Sequence, residues 1–230
     1  MKKIFILLFI FILLFFTFIF IQNIFLRNKI EYFIDKITGF DFEIGSLNFN
    51  IFHTYVRINE LRFYNPRAFG NETFAYVPEL VIDYDLMSFL RGREIHFEKI
   101  SLCLEELNIV KNEEKDVNLY HLAALNNKTK GRVNVIDADG YSKFTNLSID
   151  NVVITIEDVS YINYSKDGVK KHFAISIEEQ RYRDVKTLYW IPQIIVFKVL
   201  YNTPLSKEVD IDVNLLKESL RDKYKSIKHS

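Results

Sequence analysis

The chain has one cysteine, Cys103, among 230 residues, which leaves no partner for an internal disulfide and no cysteine cluster for a metal. The histidines His53, His96, His121, His172 and His229 are scattered, and none has a His or Glu partner at the spacing of a helical zinc site. Seven glycines form neither a phosphate-cradling loop nor a G-x-S-x-G elbow. Asp137 and Asp139 supply two neighbouring carboxylates, but beside Gly140 they read as a solvated turn rather than a catalytic pair. The expectation is a protein that is not an enzyme, with no catalytic residues, no cofactor and no metal. A site assembled by the fold from distant residues is the remaining enzymatic alternative.

Net charge is absent as well: Lys and Arg number 30, as do Asp and Glu. The balance is uneven along the chain. Residues 1–29 hold four of the basic residues and no acid, so the rest carries 26 basic against 30 acidic residues, a net charge of −4. An acidic outer domain argues against nucleic acid as a partner. From Ile4 to Ile21 no charge occurs at all, and Thr17 is the one polar residue. Eighteen residues at about 1.5 Å each span roughly 27 Å, close to the hydrocarbon thickness of a bilayer. The apolar stretch is longer than a signal-peptide core, and Gln22 to Leu26 offers no small-residue cleavage site, which favours an uncleaved anchor over a signal peptide. Lys2 and Lys3 on one side nearly balance Arg27 and Lys29 on the other, a weak lean toward a cytoplasmic N-terminus.

The spacing predicts an anchor over 1–22, an amphipathic helix over 23–39, a strand-rich domain over 40–182 and a helical segment over 183–230. In the second piece Ile24, Ile30, Phe33, Ile34 and Ile37 recur at helical spacing before Gly39, a C-terminal cap. From Phe40 the period becomes two: Phe42 and Ile44, then Leu47, Phe49 and Ile51, Val56 and Ile58, Leu61 and Phe63. Parity slips at Gly45-Ser46, Asn59-Glu60 and Glu98-Lys99 suggest bulges or turns. Further strands follow at Val77–Tyr84, Ile95–Ile109, Leu147–Ile156 and Phe173–Ile177. Asp85 caps a short helix over Leu86–Leu90, Asn112–Lys115 is a polar turn and Asn126–Gly131 begins a loop. Ile191–Leu200 reads as a mostly apolar helix with Pro192 in its first turn, too short for a second span. Val209, Val213, Leu216, Leu220 and Ile227 then share one helical face, although Ile211 and Val213 fit a short strand equally. The fold class expected is α+β, mainly β: an N-terminal transmembrane helix, a mostly antiparallel sheet of seven or eight strands, short helices and C-terminal amphipathic helices.

Several segments in order carry a resemblance: Phe42-Glu43-Ile44-Gly45-Ser46-Leu47; Ile58 through Leu61 and Phe63 to Asn65-Pro66 and Phe69; Val77 to Gly92; Ile95 to Ile100; and Asn118-Leu119-Tyr120-His121-Leu122. Following an anchor, they resemble the N-terminal region of the AsmA family, envelope proteins similar to TamB and related to the chorein-type bridge-like lipid-transfer proteins. The chain is much shorter than the long members, lacks the proline often seen after Ile100 and has no further recognisable repeats. The resemblance covers residues 39–122. It implies a single-pass inner-membrane protein with its N-terminus in the cytoplasm and its domain in the periplasm, and a curved sheet whose apolar concave face is a lipid-holding groove. It brings no catalytic residues.

The residues expected to line that groove are Phe42, Ile44, Leu80, Ile82, Tyr84, Ile100, Leu102 and Leu104. Alternation alone describes any half-buried sheet, so two readings stand side by side. In one, the face stays open and holds phospholipid or another acyl lipid, with the membrane as partner and an envelope protein or an end-to-end oligomer continuing the groove. In the other, the C-terminal helices close the face, and the protein is an envelope assembly scaffold without lipid.

Overall fold

The computed structural model describes residues 9, 27, 28, 30–50, 52–91, 94–123, 125, 146–166, 169–185, 188 and 190–209. Apart from Phe9 the expected anchor lies outside the described residues, as do Asp137, Asp139, the loop from Asn126 and the C-terminal segment beyond Val209. No helix among the described residues is long and apolar enough to cross a membrane. The chain divides into two units, Met1–Lys36 and Ile37–Ser230. In the first, Arg27 Nε donates to Glu31 Oε1 at 2.8 Å, one helical turn apart, and Lys36 Nζ lies 5.5 Å from the centre of the Tyr32 ring. Residues 30–38 are helical, and Gly39 follows with φ +68°, the left-handed conformation that ends helices.

The second unit is mainly β. Six strands form one sheet in sequence order: β1 (Phe42–Asn50), β2 (Tyr55–Tyr64), β3 (Thr73–Tyr84), β4 (Glu94–Lys111), β5 (Asn146–Asn163) and β6 (Val169–Val185). Every neighbouring pair is antiparallel except β4 and β5, which run parallel in unbroken register from Glu94↔Asn146 to Lys111↔Asn163. A parallel neighbour requires a crossover, and residues 112–145 supply the length for it.

Seven or eight strands were expected; six occur among the described residues, and the parity slips lie inside them rather than between them. In β1 the apolar positions pass from Phe42 and Ile44 to Leu47 and Phe49; in β2 from Val56 and Ile58 to Leu61 and Phe63. β3 changes from Ala75 and Val77 to Leu80, Ile82 and Tyr84, and β4 from Ile100 and Leu104 to Leu107 and Ile109. β5 changes from Ile154 and Ile156 to Val159 and Tyr161. The switches face one another. Ile44↔Leu61 and Ser46↔Asn59 flank one, and Leu104↔Ile156 and Glu106↔Asp158 flank another, so neighbouring strands shift together and the pairing survives. At β5 and β6 the register itself slips twice, around Ile156.

The backbone shows how the seam is made. Glu60 sits at φ +54°, and a Cβ added to Gly45 would come 2.8 Å from the Glu60 Cβ, so only glycine fits opposite it. Pro78, which has no N–H to give, lies in β3 where the ladder to β4 skips from Tyr76↔Glu106 to Glu79↔Cys103. Each slip turns successive polar side chains away from the core, among them Glu105 with Glu106 and Glu157 with Asp158. A second slip crosses Glu98, Asp150 and Asp184; Asp184 has φ +53°.

The short helix Leu86–Arg91 starts as expected at Asp85, whose carboxylate accepts from the Met87 N–H at 2.8 Å and the Ser88 hydroxyl at 2.7 Å. These bonds hold the Asp85 carboxyl below the usual carboxylate range, the Ser88 hydroxyl contributing most. The closing helix, Trp190–Asn202, is mostly apolar, as expected of Ile191–Leu200. It has no polar stripe, and no residue from Trp190 to Leu200 is exposed. A helix apolar all round is one that is covered on most sides.

Beyond the sheet's far end, Asn118 knits the loops together. Its side chain, fully buried, donates to Asn65 Oδ1 at 2.7 Å and to the Asn108 carbonyl at 2.8 Å, and accepts from the Val110 N–H at 3.0 Å. Phe69 meets Val110 and Ile162 there and lies edge-on to His121, ring centres 5.1 Å apart. Replacing Asn118 by Ala strands three buried partners and is expected to cost about 3 kcal/mol. Denaturant unfolding of the full chain in mild detergent would measure this, and a loss below about 1 kcal/mol would show that the network is dispensable.

Candidate functional site

The apolar face is built row by row across the strands. On one side of the seam Leu47, Ile58, Leu80, Leu102 and Ile154 stand in register, and next to them Phe49, Val56, Ile82, Ile100 and Val152. Tyr84, Phe97, Ile149 and Val185 form the outer row, with the Tyr84 ring stacked on Phe49 at 5.7 Å between centres. On the other side of the seam Phe42, Phe63, Ala75, Leu107 and Val159 align, beside Ile44, Leu61 and Val77.

Both sides of the seam share one face. Lys198 in the closing helix donates to Gln180, which stands opposite Ile154 before the seam. Past that helix, Thr203 Oγ1 donates to the Val199 carbonyl and accepts from the Leu205 N–H, opening the turn Pro204–Lys207. Glu208 then pairs at 2.8 Å with Lys171, which stands opposite Tyr161 after the seam. One covering segment thus touches both halves.

Seven of the eight residues expected to line a groove belong to these rows and the eighth, Leu104, faces Ile156 at the seam, but they do not make one patch. Leu80, Ile82, Ile100 and Leu102 come together as facing pairs, with Tyr84 at their margin, while Phe42, Ile44 and Leu104 sit at or beyond the seam with other neighbours. Ile44, Tyr84, Ile100 and Leu104 are buried; Phe42, Leu80, Ile82 and Leu102 are half-buried. Leu47, Phe49, Val152 and Ile154 share the same rows and were not among the expected lining residues, although alternation marked all but Val152.

Cover is unequal across the sheet. In β5 the side chains of Ile149, Val152, Ile154, Ile156, Val159 and Tyr161 are at most 2% exposed, because the closing helix packs on β5 and β6. On β1 and β3, Leu47, Phe49, Leu80 and Ile82 keep part of their surface open. The Tyr84 hydroxyl is buried and finds no hydrogen-bond partner among the described residues. Burial raises the Tyr84 hydroxyl above the ordinary tyrosine range and pushes Tyr182 on the same face up to about 12.

Away from the far end, where Val110 and Ile162 are buried against Phe69, the opposite face is mostly polar. Arg57 pairs with Glu79 at 3.0 Å, and Cys103 Sγ donates to Glu157 Oε1 at 3.3 Å. His172, Ser160 and Asp158 converge across β5 and β6: Ser160 Oγ is 3.2 Å from His172 Nδ1, and Asp158 Oδ1 is 3.4 Å from Nε2. Sequence reasoning missed this cluster, since nothing in one strand announces the side chain opposite it. It contains the residue types of a serine nucleophile, but the ring nitrogens are used in the reverse order, with the hydroxyl at Nδ1 and the carboxylate at Nε2. Glu105, Glu106 and Lys170 line the same shallow depression. No group of three or more metal-ligating side chains is found among the described residues.

Comparison with family models, with curated proteins and with solved structures finds no match to this chain.

Burial, and then the hydrogen bond to Glu157 and the charges of Glu157, Glu105 and Glu79, push the Cys103 thiol up to about 11. The thiolate is the reactive form, so alkylation at pH 8 is expected roughly a hundredfold slower than for an ordinary thiol of pKa about 8.5, rising steadily toward pH 11. Glu157→Gln lowers that pKa and speeds the reaction. Iodoacetamide labelling of native against denatured protein reads both effects, and equal rates in the two states at pH 8 would contradict them.

Proposed function

We propose that this chain is a membrane-anchored, non-catalytic protein of the cell envelope that binds lipid, or helps transfer it, along the apolar face of its sheet. The observation that carries this reading is the unequal cover of that face: half-open Leu47, Phe49, Leu80 and Ile82 beside fully buried β5. A row of aliphatic and aromatic side chains with partial solvent contact suits acyl chains, which ask for apolar contact rather than hydrogen bonds. The ligand is a phospholipid or another acyl lipid. Ile4–Ile21 is the anchor, and the AsmA resemblance supplies the orientation, with the N-terminus in the cytoplasm, the domain in the periplasm and the span in the inner membrane. The outer region's acidic balance argues against nucleic acid.

Size supports transfer over a short reach. Six strands at about 4.8 Å give a sheet roughly 24 Å across, while eighteen residues at about 3.3 Å make β4 and β5 near 60 Å long. The resemblance further implies curvature that makes the face a groove, which a partner stacked end to end would continue.

The packing of Trp190–Asn202 on β5 and β6 favours a second reading, in which the face is a closed core and the protein is an assembly scaffold without lipid. Native mass spectrometry of the detergent-extracted full chain separates the two. The lipid reading expects co-purifying phospholipid, reduced several-fold by Ile82→Asp or Leu102→Asp in protein whose circular dichroism is unchanged. Lipid-free wild-type protein, together with variants that behave as it does, would leave the scaffold.

A further inference from the structure

The two edges of the sheet are unlike. β6 carries Lys170, Lys171, Glu178, Glu179, Arg181 and Arg183, the charges by which an edge strand resists further pairing. β1, Phe-Glu-Ile-Gly-Ser-Leu-Asn-Phe-Asn, has no lysine, arginine or proline. Its one charge, Glu43, accepts a 2.6 Å hydrogen bond from the Tyr64 hydroxyl of β2. β1 is the terminal strand of the sheet, so one side of its backbone has no strand partner among the described residues. Such an edge is a template for another strand.

Which strand fits is written in the seam. A two-fold axis normal to a sheet keeps every side chain on its own face, so residues that meet across it must share a face. In an unbroken strand two residues of unlike parity never do. β1 is broken between Ile44 and Leu47, and there Phe42, Ile44, Leu47 and Phe49 all lie on the apolar face. About a point between Gly45 and Ser46 the strand reads the same in both directions: aromatic, polar, aliphatic, small, then small, aliphatic, polar, aromatic.

We propose that β1 pairs antiparallel with β1 of a second copy of this chain, about a two-fold axis between Gly45 and Ser46. Phe42 then faces Phe49 of the second copy, Ile44 faces Leu47, Glu43 faces Asn48 and Gly45 faces Ser46. Side-chain face and backbone hydrogen-bonding direction are tied in a strand of L-residues, so matching the faces also matches the ladder. The product is a twelve-stranded sheet whose apolar face runs unbroken through the axis and whose two outer edges are both the charged β6. This arrangement holds whether or not lipid occupies the face.

The test uses the full chain in detergent micelles, with Cys103→Ala to remove the native thiol. In this register the Ser46 Cα atoms of the two copies are about 6 Å apart, within disulfide range, whereas each Asn48 is roughly 17 Å from its counterpart. Ser46→Cys is expected to cross-link under mild oxidation at least tenfold faster than Asn48→Cys. Asn48 stands opposite Arg57 in its own sheet, so Asn48→Glu suits the fold, yet it meets Glu43 of the second copy twice. Sedimentation should show its dimer weakened roughly fivefold and the Asn48→Lys dimer tightened by a similar factor. A chain that stays monomeric at all concentrations, or equal cross-linking at the two positions, would overturn the proposal.

Discussion

One constraint organises the sheet: a strand that changes the parity of its apolar residues can stay paired only if its neighbours change with it. A slip in one strand alone would turn every later side chain to the wrong face. Here the slips run as a line across the strands, from Gly45 opposite Glu60, past Pro78, to the facing pairs Glu105–Glu106 and Glu157–Asp158. The line lets a single apolar face extend along strands of up to eighteen residues. It also explains the acids gathered there. Successive residues must point away from the core, and carboxylates are at ease in water.

The elements were more legible in the sequence than their joins. Alternation marked the strands, Asp85 marked the start of its helix and Pro192 the first turn of another, because each signal is local and chemical. The slips at Gly45-Ser46, Asn59-Glu60 and Glu98-Lys99 were visible too. Their meaning was not, since a slip and a turn look alike in one strand, and the compensating slip lies in a neighbour distant along the chain. The parallel pairing of β4 with β5 had no local signature either. Of the candidate lining residues, all eight reached the apolar face, but periodicity could not say which would be covered. That depended on where Trp190–Asn202 packs, a long-range fact.

Loops that lie far apart in the sequence meet at the sheet's far end. Asn65 and Asn118 come from different segments and hydrogen-bond at 2.7 Å, while Phe69 and His121 touch edge to face. The job is architectural: Asn118 satisfies buried backbone groups of Asn108 and Val110 where β4 leaves the sheet. Polar side chains so used restrict a loop end to one arrangement.

The crossover between β4 and β5 sets the order in which such a sheet can assemble. β1 to β4 join through short connections, and β5 to β6 does so again, so each group can zip from its turns. The parallel seam between the groups joins residues 52 apart, as in Glu94↔Asn146. Each doubling of loop length adds only about 0.6 kcal/mol of closure entropy, so the equilibrium is barely taxed. The search time is another matter, because pairings of high sequence separation form slowly. Until they form, the inner edges of β4 and β5 are bare, and a newly made chain would be at its stickiest in that interval.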